Sequence, residues 1–314
     1  MNGSWNRHRR AAKNKGMRVL SEIERAKSNL PKLPIALTDI MFNSIAIPVI
    51  LYGAEVWGTH NTPELNKVMM SYYKRILGVP QATANCGVLW ELGSVNVKTH
   101  CQQRCLKYWW EIIKGKRNEI VRECYDELAK MNLGWAAKLA ALSHEIGVAD
   151  QRLDGETCMP FTWNHVKKSH EKFRIREIVA ERETKKSLEI QKLVGGDWGR
   201  KTYIDLLSNN ERAGLAWFRL GNWKQNKITR ENVDVCALCG EQENWEHILL
   251  NCQVTEPRRI SVLQAGNYEM TERDENLGLS ILRNNQPQFT RLLGQFFSAI
   301  RKIRHKALTT HRLQ

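Results

Sequence analysis

The sequence predicts a mainly α-helical protein that carries one small zinc knuckle. Apolar residues recur at helical spacing over most of the 314-residue chain, and alternation with a period of two is rare. In the last third of the chain, residues 236–252 follow the pattern Cys-x2-Cys-x7-His-x4-Cys, which is typical of a metal site. With 42% hydrophobic residues, the chain has enough apolar side chains to bury a core.

The first half of the chain is punctuated into separate helices. Pro31 and Pro34 end the first of these, and Thr62 and Pro63 provide the N-cap and first turn of another, which Gly78 ends. The apolar stripe of that second helix consists of Leu65, Val68, Met69, Tyr72 and Ile76. Helices are thus predicted over residues 17–30, 63–77, 85–92, 97–113, 119–131 and 135–146.

Residues 40–57 form the most apolar stretch and nearly reach the length of a membrane span. Asn43, Pro48, Gly53 and Glu55 interrupt it, and the segments on either side of the proline are too short to span a bilayer alone. We therefore expect a buried, proline-kinked helix here and no membrane contact.

The second half of the chain begins after a boundary predicted at residues 150–160. Residues 162–194 alternate Lys and Arg with Glu, which indicates a solvated helical face. Ser208 and Glu211 have the spacing of a capping box at the start of a further helix. The sharpest apolar stripe comes last and consists of Phe289, Leu292, Leu293, Phe296, Phe297, Ile300 and Ile303.

The knuckle offers four ligands to a metal ion, namely Cys236, Cys239, His247 and Cys252. Thiolate and imidazole are the ligands that Zn²⁺ prefers, and four of them leave no position for water. The sequence therefore predicts a structural zinc ion. The other cysteines show no regular pairing, which favours a reducing, intracellular compartment, and Cys101 and Cys105 are expected to be buried thiols.

The chain is strongly basic, with a formal net charge of +15 and a pI of about 9.5. Such a charge favours a polyanionic partner, most simply RNA or DNA held through its phosphates. The cations cluster in an N-terminal arm, on both flanks of the knuckle and near the C-terminus. The candidate phosphate-binding residues are Arg7, Arg9, Arg10, Lys224, Lys227, Arg230, Arg258, Arg259, Arg301, Lys302, Arg304 and Lys306.

Several short motifs resemble the region that follows the polymerase domain in LINE-type (non-LTR) retrotransposon reverse transcriptases. In that family a thumb and a helical segment precede a Cys-Cys-His-Cys knuckle with Glu before its His, as Glu246 stands here. The resemblance is confined to islands in family order. They are Ile50-Leu-Tyr-Gly-Ala-Glu-Val-Trp57, Tyr73-Lys-Arg-Ile-Leu-Gly-Val-Pro80, Trp90-Glu-Leu-Gly93, Gly214-Leu-Ala-Trp-Phe-Arg-Leu-Gly221 and the knuckle.

The resemblance implies a thumb-like helical bundle, a helical segment, the zinc knuckle, and the polymerase portion of the parent polyprotein as a possible partner. It does not extend to catalysis. The family's polymerase site uses Tyr-x-Asp-Asp, whereas this chain has only Tyr203-Ile-Asp205-Leu206, and no endonuclease-like set of acids follows Cys252. We therefore expect a chain without enzymatic activity of its own, although the parent family is an RNA-directed DNA polymerase.

The predicted organisation has six segments, and two other function classes stay open. One is a zinc-containing protein–protein adaptor derived from such an element; the other is an enzyme whose site is not evident in any one segment. The segments are a basic arm (1–16), a thumb-like helical region (17–80), a helical connecting region (81–150), a charged helical region (151–225), the knuckle (226–256) and a C-terminal amphipathic basic helix (257–314).

Overall fold

The computed structural model describes residues 5–30, 33–60, 62–148, 162–225, 235–269 and 276–311. These residues are mostly helical, and their β-structure is one isolated antiparallel bridge between Val235 and Gln242. The prediction of a mainly α protein is therefore confirmed. No helix in the described part of the chain combines the length and the apolar character needed to cross a membrane.

The described residues form sixteen α-helices, with π turns at Phe42–Ala46 and His247–Asn251. In chain order they are α1 (Asn6–Asn29), α2 (Ile35–Met41), α3 (Ile47–Ile50), α4 (Ala54–Trp57), α5 (Pro63–Leu77), α6 (Asn85–Leu92), α7 (Val97–Ile113), α8 (Glu119–Lys130), α9 (Gly134–Glu145), α10 (Trp163–Thr184), α11 (Glu189–Val194), α12 (Tyr203–Leu206), α13 (Asn209–Arg219), α14 (Glu256–Ala265), α15 (Leu277–Arg283) and α16 (Pro287–His311).

The chain folds into two compact units, and each is discontinuous in sequence. Unit 1 comprises Met1–Tyr72 and Val95–Ile178, and unit 2 comprises Tyr73–Ser94 and Val179–Gln314. The predicted boundary at residues 150–160 lies outside the described residues. The units also divide the predicted thumb-like and connecting segments, because residues 73–94 belong with the C-terminal half. The local sequence pattern does not indicate that each unit is built from two separate segments of the chain.

The N-terminal basic residues do not form an arm, since α1 begins at Asn6 and not at Met17. Its buried side is formed by Ala12, Gly16, Leu20 and Ile23. The two small residues continue the apolar stripe toward the N-terminus, and their side chains are too small to mark this part of the helix in the sequence pattern. A Cβ at Gly16 would lie only 2.4 Å from Cγ2 of Ile50, so glycine lets α1 approach α3 closely.

The apolar stretch at residues 40–57 is kinked as predicted but is only partly buried. Pro48 has no N–H for the carbonyl four residues earlier, and the π turn at Phe42–Ala46 lies directly before α3, which contains this proline. Gly53, with φ +69°, separates α3 from α4. Ile40, Tyr52 and Val56 are exposed to 57%, 76% and 53%, which corrects the prediction of a buried helix at these positions.

The core of unit 1 lies among α7, α8, α9 and the first part of α10. It contains Trp109, Ile112, Tyr125, Leu139 and Val166, all buried, and Trp109 donates a hydrogen bond from Nε1 to the Tyr125 hydroxyl at 2.9 Å. The predicted bounds of α7 are confirmed, and those of α8 and α9 shift by one residue. The thiols of Cys101 and Cys105 are buried, as expected.

The charge-dense helix α10 is less solvated than its composition indicates. In unit 1 its residues His170 and Arg174 are buried, and in unit 2 its residue Arg182 is buried. Arg174 donates from Nε to Nε2 of His170 at 3.4 Å and pairs through Nη1 with Glu177 at 2.6 Å. The prediction of a solvated face is therefore wrong at these three positions.

His170 makes unit 1 sensitive to acid. Burial, with Arg174 beside the ring, lowers the pKa of His170 to about 3, so the imidazole is neutral in the folded protein. The unfolded chain protonates it near pH 6.5. Below that pH, protonation of His170 therefore favours the unfolded chain. The free energy of unfolding should fall by about 1.4 kcal/mol for each pH unit between about 6.5 and 3, and His170 should have no such effect above pH 6.5. We expect His170→Gln to remove this share of the pH dependence in urea titrations.

The matched control for that measurement is His144→Gln, because His144 is exposed on α9 of the same unit. Hydrogen exchange of the α7 amides during the urea titration reports on unit 1 alone. A His170→Gln protein that loses stability with acid as steeply as the unmodified chain would contradict the assignment.

The core of unit 2 is the crossing of α13 and α16. The two helices approach closely at Gly214, where a Cβ would lie 2.4 Å from the backbone nitrogen of Ser298. Phe218 stacks on Phe297 with ring centroids 3.9 Å apart. The capping box of Ser208 and Glu211 that opens α13 is present as predicted. Residues 257–314 contain α14 and α15 as well as α16, so the prediction of a single C-terminal helix is wrong.

A buried polar network links three sequence-distant parts of unit 2. The Glu91 side chain is fully buried on α6, and its two oxygens accept from Arg219 Nε on α13 at 3.1 and 3.2 Å. Gln191 on α11 donates to the same carboxylate at 2.7 Å. Arg182 in turn donates to the Gln191 carbonyl at 2.8 Å. Each charged group therefore has a partner, as burial requires.

Candidate metal centre and basic surfaces

The first two cysteines of the knuckle lie in a tight turn of unit 2. The bridge between Val235 and Gln242 closes this turn, and the Cys236 N–H donates to the Glu241 carbonyl at 2.7 Å. The Gly240 N–H donates back to the Cys236 carbonyl at 3.0 Å, with φ of +83° at this glycine. That left-handed conformation favours glycine over residues with a Cβ.

The spacing of the second ligand pair is explained by a π turn. The Cys252 N–H donates to the His247 carbonyl five residues earlier, at 2.7 Å, so the two ligands lie at either end of one wide turn. Asn244 accepts from the His247 N–H through Oδ1 at 2.6 Å and holds the start of this turn. Four intervening residues are thus the number that one π turn requires.

The four predicted ligands converge. Their ligand atoms all lie within 4.8 Å of one another, with Cys239 Sγ 3.2 Å from His247 Nε2 and Cys236 Sγ 4.0 Å from Cys252 Sγ. A tetrahedron with metal–sulfur bonds of about 2.3 Å separates its sulfur atoms by about 3.8 Å. The cluster therefore has the size and the donor set to hold one tetrahedral metal ion.

Burial shifts the pKa values of two of the predicted ligands, Cys236 and His247. Burial raises the pKa of Cys236, while the backbone N–H groups of Leu238 and Cys239 act in the opposite direction. Burial lowers the pKa of His247, which favours the neutral imidazole that can bind a metal.

Two arginines predicted to bind phosphate instead support the metal centre. Arg304 on α16 is 1% exposed, and its Nη2 lies 2.6 and 3.0 Å from the two carboxylate oxygens of Glu243. Its Nη1 lies 3.9 Å from Cys236 Sγ, close enough to offset thiolate charge. Arg259 on α14 is 6% exposed and donates to the Cys252 carbonyl at 3.0 Å. Neither side chain is free to contact a nucleic-acid backbone.

The knuckle packs on neighbouring helices of unit 2. Ile248 and Leu249 are buried, and Trp245 is 8% exposed with its ring against α15, where a Cβ at Gly278 would lie 2.8 Å from it. Trp245 is therefore packed in the core and is not an exposed platform for base stacking. The pairing of Glu243 with Arg304 could not be predicted from the sequence, because 61 residues separate them and no local pattern links them.

The remaining predicted phosphate-binding residues differ in exposure. Arg7 and Arg10 are exposed on α1 of unit 1, whereas Arg9 is half-buried and donates to Asn6. In unit 2, Lys224 is exposed but pairs with Glu189 at 2.8 Å. Arg258, Lys302 and Lys306 are exposed and Arg301 is half-buried, while Lys227 and Arg230 lie outside the described residues.

Comparison with known proteins adds no assignment. No protein family, curated protein or solved structure matches this chain.

Proposed function

We propose that this chain is the nucleic-acid-binding C-terminal region of a LINE-type retrotransposon reverse transcriptase, built around a structural zinc ion. The observation that carries the proposal is the convergence of Cys236, Cys239, His247 and Cys252 within 4.8 Å. Three thiolates and one imidazole are the ligand set of structural zinc, and the buried Arg304 complements their negative charge. The ion holds a small module whose own core is slight.

The nucleic-acid part of the proposal is supported by charge and exposure. The net charge of +15 is an excess of cations over acids, and Arg7 and Arg10 on α1 and Arg258 and Lys306 in unit 2 are exposed cations. Such cations position a phosphate backbone and read no base sequence. We therefore propose a single-stranded or structured nucleic acid as the ligand, bound with little sequence preference.

The salt dependence of binding tests this proposal. Each phosphate contact contributes about −0.7 to the slope of log affinity against log salt for a single strand. Replacing both Arg258 and Lys306 with Gln should flatten that slope by about 1.4 and weaken binding at low salt. Fluorescence anisotropy with a labelled single-stranded oligonucleotide, at several salt concentrations, measures both effects.

The control replaces Lys185 and Lys186 with Gln, since both are exposed in unit 2 and lower the formal charge equally. Equal slopes for the two double variants would mean that the basic surface acts only through its total charge. A wild-type chain that does not bind the oligonucleotide at low salt would refute the proposed function itself.

An adaptor function is the second candidate, and one observation favours it. Leu37, Ile40, Ile45, Tyr52 and Val56 of unit 1 are large apolar side chains with exposures of 46% or more. Exposed apolar surface is typical of protein contacts, and the polymerase portion of the same polyprotein is the partner we propose. Binding of such a partner should be insensitive to salt, which distinguishes it from phosphate contacts.

We further propose that this chain has no polymerase activity. Tyr203 and Asp205, the only fragment of the family's catalytic motif, lie in the short helix α12. Tyr203 is buried there, and Asp205 is paired with Arg200 at 2.8 Å. Two-metal phosphoryl transfer needs adjacent free carboxylates, which this motif does not offer.

A further inference from the structure

Unit 2 contains a cavity of about 470 Å³ beside the crossing of α13 and α16. Its size is within the range of small-ligand sites in proteins. Both helices present one face to it, at positions separated by three and four residues. Its lining consists of Pro80, Asn210, Ala213, Trp217, Asn222, Ser298, Arg301, Lys302 and His305.

One side of the cavity is basic. Arg301, Lys302 and His305 lie within five consecutive residues of α16, and no acidic residue is among the lining residues. Arg301 has no hydrogen bond or ion pair within the described part of the chain. Its pKa is lowered by burial alone, with no neighbouring acid to offset this. A partly desolvated cation without an anion is costly, and a bound anion would remove that cost.

The other side of the cavity offers an amide and an indole. Asn222 is 2% exposed, and its Oδ1 accepts from the Thr83 hydroxyl at 2.8 Å. That bond orients the amide, and its Nδ2 has no partner among the described residues. Buried donors are normally satisfied, so an unpartnered one in a cavity lining points to a ligand acceptor. Trp217, at 4% exposure, adds apolar surface beside it.

We propose that this cavity binds one nucleotide of a single-stranded nucleic acid, with its phosphate at Arg301, Lys302 and His305 and its base beside Trp217 and Asn222. The inference rests on the proposed function and adds to it a defined nucleotide site. A base within a duplex is stacked and paired, and it cannot enter a concave site without being flipped out. The cavity therefore favours single strands over duplexes of the same sequence.

The test variant is Arg301→Gln in the full chain, measured with a labelled single-stranded oligonucleotide. Loss of this phosphate contact should weaken binding about tenfold and flatten the salt slope by about 0.7. Arg301→Lys keeps the charge and should retain most of the affinity. The control is Arg291→Gln, since Arg291 is an exposed cation of the same helix outside the cavity lining, and its binding should stay within twofold.

Thermal unfolding of the same variants separates binding from structure. Because Arg301 has no partner within the described residues, Arg301→Gln should unfold at the same or a higher temperature than the unmodified chain. A lower unfolding temperature that accounts for the lost affinity would assign Arg301 a structural role and overturn the site.

Small competitors identify which part of the nucleotide is recognised. A nucleoside 5′-monophosphate should displace the oligonucleotide at lower concentration than inorganic phosphate does, because only the former reaches Trp217 and Asn222. Equal competition would reduce the site to an anion pocket and overturn the nucleotide assignment. Binding by the unmodified chain with equal affinities for Arg301→Gln and Arg291→Gln would reject the cavity and leave the proposed function standing. Absence of any binding by the unmodified chain would reject both.

Discussion

Cys239→Ser is expected to remove stoichiometric zinc binding and to unfold the segment from Val235 to Ala265. The serine hydroxyl does not replace a thiolate as a zinc ligand, and three remaining ligands leave the ion open to water. Zinc contributes about 10–16 kcal/mol to the folding of isolated zinc-finger peptides. The loss of folding free energy in this segment should therefore exceed that caused by any core substitution of similar size. The zinc content found by elemental analysis should fall from one ion per chain toward none.

The effect should be local to the knuckle and the helix it supports. The crossing of α13 and α16 has its own apolar core, so hydrogen exchange of the α13 amides should change less than that of residues 235–265. Cys124→Ser is the control, because Cys124 is an exposed thiol of α8 in unit 1. An unchanged zinc content in Cys239→Ser would contradict the assignment of the metal centre.

The second large effect concerns the buried carboxylate of Glu91. Replacing it with Ala leaves the Arg219 charge, 7% exposed, without its anion. The Gln191 side-chain amide loses one of its two acceptors and keeps the Gly87 carbonyl. Breaking a buried pair from one side costs about 3–5 kcal/mol. We expect a loss of this size in the free energy of unfolding of unit 2, measured by chemical denaturation.

The comparison is Glu189→Ala, which removes a carboxylate of the exposed pair with Lys224. Exposed pairs contribute at most about 1 kcal/mol. Glu91→Gln, which keeps the shape and one acceptor oxygen, should fall between the two. If Glu91→Ala is as mild as the exposed variant, the network does not stabilise unit 2.

The Glu91–Arg219 pair also connects motifs that the sequence presents separately. Glu91 belongs to the island 90–93 and Arg219 to the island 214–221, and 128 residues separate them. The island 73–80 contacts the same helix as Arg219, because the Ile76 carbonyl accepts from Nε of Arg212 on α13 at 2.8 Å. Three of the motifs that carried the family resemblance are therefore parts of one buried assembly in unit 2.

Local chemistry was sufficient for much of the structure. The ligands at Cys236, Cys239, His247 and Cys252, the capping box at Ser208 and the bounds of α6 and α7 all follow from residues within a few positions of one another. Turn geometry, N-capping and helical periodicity act over this range, so a linear reading of the chain detects them.

Long-range packing settled the features that the linear reading missed. The 1% exposure of Arg304 depends on Glu243, and the buried stripe of α1 depends on the approach of Ile50 to Gly16. A cation has the same sequence signature whether it is destined for solvent or for a buried partner. The free energy of desolvation is offset only when a distant residue supplies the opposite charge, and that meeting exists only in the folded chain.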